Sequence, residues 1–120
     1  MRPVHLERGR RAEDRVCWYL RRRLWRVVAR NWIGGGGELD LVAVRGRCLL
    51  IAEVRYRAAG EALASIDRHK LEHVLAAARA LVAMHALQVY RLRVDLFGVD
   101  PRGRIVRMPD VMRLVDGNRI

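Results

Sequence analysis

Lysine is nearly missing from this chain: of its 24 basic residues only Lys70 is one. So strong an arginine bias also follows from genome base composition, and arginine enrichment alone therefore says nothing about a partner. Cysteine is scarce too. Cys17 and Cys48 fall in different expected elements and have no metal-type spacing. They read as two small thiols in a reducing compartment, not as a disulfide framework or a zinc site. No apolar run approaches membrane-spanning length, and Met1-Arg2-Pro3-Val4-His5 lacks the apolar stretch of a signal peptide. The expectation is a cytoplasmic protein with no membrane partner. The glycine run Gly34–Gly37 is not followed by Gly-Lys-Ser/Thr and leads into a strand, which argues against a phosphate loop. It suits either a close backbone approach to a ligand or a flexible loop. No serine or cysteine has a convincing base partner, and Ser65 is better placed as a helix cap. No repeat, linker or low-complexity segment interrupts the 120 residues, so one domain spanning residues 1–120 is expected.

What is present begins with charge. The formal net charge is +11 and the isoelectric point about 11.3. This net excess over 13 acids points to a polyanionic partner, nucleic acid first. At 52% hydrophobic residues the chain can bury a core without staples.

Apolar spacing predicts a helix from about Glu7 to Arg23, a short strand over Trp25–Trp32 and a strand over Glu38–Arg45. The turn Gly46-Arg47, of type II′, then leads to a returning strand over Cys48–Arg55. A loose segment covers Arg57–Ala64. A long helix capped by Ser65 or Asp67 runs to about His85, with Leu71, Val74, Leu75, Ala78, Leu81 and Val82 as its buried stripe. Tyr90–Val99 is a strand, Arg104–Met108 an edge strand, and the tail past Pro109 a short helix. The order is α-β-β-β-α-β plus a small C-terminal addition. This is an α/β protein with a mixed β-sheet flanked by helices, the second helix carrying a crossover to a parallel neighbour.

Two of those strands hold a residue that buried strands normally exclude. Leu39-Asp40-Leu41-Val42-Ala43-Val44 and Leu49-Leu50-Ile51-Ala52-Glu53-Val54 are apolar on both faces apart from Asp40 and Glu53. With Gly46-Arg47 as the loop, paired positions sum to 93 and Asp40 stands opposite Glu53. With Arg45-Gly46 as the loop, Glu38 would stand there instead, and all three acids would share a face. Opposed side chains have Cβ atoms roughly 4.5–5.5 Å apart. At that distance two carboxylates repel by about 3 kcal/mol at an effective dielectric near 20. Mg²⁺, or Mn²⁺ in its place, would relieve the repulsion. Mg²⁺ accepts one or two protein carboxylates and otherwise keeps its waters. The competing explanation is a salt-bridge cluster with Arg55, two residues after Glu53 on the same face.

Other candidates are weaker. Glu13 is the helix-1 acid best placed to join the site, or else it pairs with a nearby arginine on the surface. Lys70 faces either the site or solvent, and Asp95 suits a salt bridge to an arginine. His69 and His73 have metal-compatible i,i+4 spacing but no adjacent Glu. Trp18, Trp25 and Trp32 read as core or edge packing in preference to base-stacking platforms. Arg21-Arg22-Arg23 either grips phosphates or is a solvated helix end.

Gly37-Glu38-Leu39-Asp40-Leu41-Val42-Ala43, Ala52-Glu53-Val54-Arg55-Tyr56-Arg57, Lys70 in a long helix and Arg93-Val94-Asp95 together resemble the YraN-type family of small bacterial proteins. That family is similar to the restriction-endonuclease-like PD-(D/E)XK superfamily, which includes archaeal Holliday-junction resolvases. The resemblance runs from about Gly9 to Val99 and implies a restriction-endonuclease-like fold. By it, Asp40 and Glu53 fall on the metal-binding acids, Glu13 on the helix-1 acid, and Arg55 where the superfamily usually has lysine. An arginine there keeps its proton, so it can position and stabilise charge but cannot act as a base. The expected function is a Mg²⁺- or Mn²⁺-dependent endonuclease that hydrolyses phosphodiester bonds of DNA, branched DNA included. Its expected catalytic residues are Glu13, Asp40, Glu53 and Arg55, with Asp40 and Glu53 as metal ligands. A homodimer is compatible with that function, since many such nucleases cut both strands. The alternative is a catalytically degenerate nucleic-acid-binding module on the same fold.

Overall fold

The computed structural model describes residues 4–56 and 68–112. The elements are α1 (Val4–Arg21), β1 (Arg26–Gly34), β2 (Gly37–Arg45), β3 (Cys48–Tyr56), α2 (Arg68–Met84), β4 (Arg91–Val99) and β5 (Ile105–Met108). The strands form one sheet in sequence order. Only β3 and β4 are parallel; the remaining neighbours are antiparallel. The α/β class, the mixed sheet and the order of elements agree with the sequence, and the C-terminal addition is the edge strand β5. The loose segment Arg57–Ala64, the caps Ser65 and Asp67, and most of the expected C-terminal helix lie outside the described residues.

Two cores cover the sheet. Ala12, Val16, Cys17 and Leu20 of α1 pack on Leu41, Ala43, Leu50, Ala52, Phe97 and Val99. On the other face Val74, Leu75, Ala77, Ala78 and Leu81 of α2 pack on Leu39, Val42, Leu49, Ile51, Val94 and Leu96. The central strands are therefore apolar on both sides, the condition under which an ionised side chain is costly.

Both helices end with a left-handed residue and a 6→1 hydrogen bond. After α1, Trp25 N–H donates to Leu20 O and Leu24 N–H to Arg21 O, with Leu24 in the left-handed region (φ 69°). After α2, Leu87 N–H donates to Val82 O and Ala86 is left-handed (φ 52°). The paired 6→1 and 5→2 bonds at α1 are those of a Schellman cap, whose left-handed position usually holds glycine.

The glycine run is a hairpin turn. Gly34 pairs with Gly37, and Gly35 and Gly36 have φ of 61° and 82°, as a type I′ turn requires. It approaches a helix: a Cβ on Gly37 would lie 2.7 Å from His73 O of α2. Glycine here lets the β1–β2 hairpin dock on α2.

Candidate active site

The β2–β3 ladder runs from Arg45↔Cys48 to Leu41↔Ala52, so paired positions sum to 93 and the loop is Gly46-Arg47. Gly46 has φ 58°, consistent with the expected type II′ turn. One pair further on, where Asp40 would meet Glu53, the ladder ends. Beyond it Gly37–Leu39 pair with β1, and Glu53–Tyr56 pair with β4. The strands part as a fork, and carboxylates take the place of the missing backbone acceptors. Asp40 N–H donates to Glu53 Oε2 at 3.0 Å, and Val54 N–H donates to Asp40 Oδ2 at 2.8 Å. A buried backbone donor needs an acceptor, and each strand supplies one to the other. Among the described residues Asp40 Oδ1 and Glu53 Oε1 accept no hydrogen bond, and neither acid forms an ion pair.

The fork also breaks the alternation of faces. Leu39 belongs to the core under α2, whereas Leu41 belongs to the core under α1, although both positions are odd. On β1 the matching site is Asn31, left-handed at φ 52°, with Arg30↔Leu41 and Trp32↔Leu39 paired on either side. Strict periodicity put Glu38 and Asp40 on one face with Val42. The break at Asp40 removes that equivalence, and Glu38 is an exposed residue beyond it.

Burial pushes both acids up. Glu53 is 6% exposed, and its pKa rises to about 8, by desolvation first and by the Asp40 charge second. Asp40 is raised by desolvation, with the Val54 hydrogen bond opposing and the Glu38 charge adding. Lys70 and Arg55 both favour the ionised forms, Lys70 the more strongly. Glu53, Arg55, Lys70, Leu71 and Val74 line one cavity of about 30 Å³ beside the fork. That volume holds a water or two.

Each candidate thus has a place. Arg55 lies beside Glu53 without pairing to it. Lys70, an exposed residue of the first turn of α2, joins the cavity wall; the signal for it in the sequence was its being the sole lysine. Glu13 reaches toward the fork from α1 and is raised by burial first and by Asp40 second. Its Oε1 also lies 3.6 Å from Arg30 and accepts from Asn31 Nδ2 at 3.4 Å. Among the described residues no three acid, histidine or cysteine side chains converge to hold a metal ion. The residues that could hold an ion are the pair Asp40–Glu53. Each acid has one oxygen fixed by a backbone amide and one left over, which suits an ion that takes few protein ligands and keeps its water. Asp95, fully buried, is the structural acid expected of it: Arg93, Arg107 and the Asp110 amide all donate to it. His69 and His73 lie Nε2 to Nε2 at 3.2 Å on the exposed side of α2.

Fold and site define a class: a small α/β protein whose central sheet opens around a buried and a half-buried acid. Residues 12–99 match the model of UPF0102, described as an uncharacterised protein family. A UPF0102 protein of Rhizorhabdus wittichii is 38% identical over 104 residues, covering 86% of this chain and 88% of that protein. One from Sphingopyxis alaskensis is 41% identical over 96 residues, 79% of this chain and 83% of the relative. One from Methylococcus capsulatus is 40% identical over 96 residues, 78% and 77% of the two chains. The chain belongs to the UPF0102, or YraN-type, family.

Proposed function

We propose that the protein is a Mg²⁺- or Mn²⁺-dependent nuclease that hydrolyses phosphodiester bonds of DNA, with branched DNA among its substrates. The observation that carries this is the fork: buried Glu53 and half-buried Asp40, unpaired with any described cation, each held by the other strand's amide. Burial without neutralisation is costly in a merely structural acid, and Asp95 in the same fold shows what neutralisation looks like. Asp40 and Glu53 would hold the ion, which when bound supplies Lewis acidity and makes a nearby water more acidic. Lys70 and Arg55 would draw the scissile phosphate to the cavity and stabilise charge on it as water adds and the ester oxygen leaves. Arg55 keeps its proton throughout, so the proton from water must pass to a carboxylate or to solvent. Glu13, raised by burial and then by the Asp40 charge, would join the site from α1.

The second reading, a non-catalytic nucleic-acid-binding module, is favoured by one observation, the arginine at position 55 where the similar nucleases usually have lysine. A single assay separates the two. Duplex, single-stranded and four-way-junction DNA are incubated with and without Mn²⁺. Metal-dependent cleavage that Asp40→Asn or Glu53→Gln abolishes supports the nuclease. Salt-dependent binding with no cleavage under any metal supports the module.

A further inference from the structure

Trp18 departs from its expected role. Trp25 is 5% exposed and Trp32 packs on the core under α2, but Trp18 is 67% exposed. A single exposed apolar residue is ordinary on a protein surface, but this indole stands among cations. Arg11, Arg15 and Trp18 on the solvent face of α1, and Arg22 just past its end, follow one another at helical spacing in a stripe about 16 Å long. The same face forms one wall of an open groove, with Gly103 and Ile105 on the other side.

Two of the cations in this groove, Arg15 and Arg23, are held in position. Arg15 Nε donates to Gly103 O at 2.9 Å, and its guanidinium fills the space where a Cβ on Gly103 would sit. Arg23 lies over the Tyr19 ring at 3.6 Å. The acid of the β4–β5 turn, Asp100, is spent on backbone: its Oδ1 accepts from the amides of Arg102 and Arg104. Asp14 on α1 is paired with Arg30 of β1, at 2.8 Å. Positive charge thus surrounds an exposed aromatic face, and the neighbouring acids are already bonded.

We infer that this groove binds single-stranded nucleic acid, one base stacking on Trp18 while Arg15 and Arg22 hold flanking phosphates. A single strand is the occupant that fits, because its bases have free faces whereas a duplex buries them in the stack. The groove is built from α1 and the β4–β5 turn, and it shares no lining residue with the Glu53 cavity. It stands whether or not the fork cleaves DNA.

The test is metal-free, so cleavage plays no part in it. Fluorescence anisotropy follows a labelled short oligothymidylate and a duplex of equal length, with heparin as a base-free polyanion. Trp18→Ala is expected to weaken single-strand binding about tenfold while leaving duplex and heparin binding within about twofold. Trp18→Tyr should restore most of the loss, and Arg22→Gln should lower the salt dependence of single-strand binding. An unchanged single-strand affinity in Trp18→Ala, or an equal loss on all three probes, overturns the inference. Tighter binding of heparin than of the oligonucleotide by the wild type overturns it also.

Discussion

A carboxylate that is 6% exposed and has no paired cation among the described residues answers to pH differently from one on the surface. Unfolded, Glu53 loses its proton near 4.5; folded, it holds it to about 8. Between those values the native state binds more protons than the unfolded state, so this group's contribution to stability falls as pH rises and levels off above the folded value. Glu53→Gln carries the same acceptor for Asp40 N–H without the charge. In metal-free protein its melting temperature should exceed the wild type's, by a margin that grows between pH 5 and pH 8. Thermal denaturation in chelator at several pH values checks this, and a constant or negative difference contradicts it. That Asp40 and Glu53 come together was legible from two apolar runs, each interrupted by one acid, and from the two-residue loop between them. Their hydrogen bonds were not, because alternation extrapolates a ladder that here ends one pair early. The left-handed turn at Asn31, which matches the break on the next strand, has no counterpart in apolar spacing.

At the scale of elements, helix ends show where local signals fail. Neither α1 nor α2 has a glycine after its last turn, yet both are capped in the left-handed region, by Leu24 and Ala86. The sequence therefore placed the ends only to within a residue or two. Leu24 is also exposed, so nothing packs against it to justify the strain. Leu24→Gly should stabilise the protein by about 1 kcal/mol, since glycine adopts this conformation without a Cβ penalty. Chemical denaturation measures the change, and a loss of stability would mean that the leucine makes a contact of value. The Gly34–Gly37 run carried the opposite difficulty. Its glycines were obvious, but their use against α2 depends on a partner about 40 residues away in sequence, and no local pattern reports that.

Across the whole molecule the net charge of +11 was plain from composition, but its arrangement was not. The sequence read Trp18 as core or edge packing, and only the packing of Ala12, Val16, Cys17 and Leu20 against the sheet shows that it lies among arginines on the solvent face. Fold class and strand order followed from the sequence because the two-residue loop fixes one antiparallel pair and α2 is long enough to carry the parallel crossover. The fork, the cavity beside it and the groove on α1 arise from how these elements meet. The claim at the centre of the account is that Asp40 and Glu53, without a paired cation among the described residues, are there to hold a divalent ion. Isothermal calorimetry of the metal-free protein with Mn²⁺, without nucleic acid, tests it most directly. The account predicts saturable binding by the wild type at millimolar metal or below, lost in both Asp40→Asn and Glu53→Gln. No binding by the wild type, or binding that survives both substitutions, would contradict it.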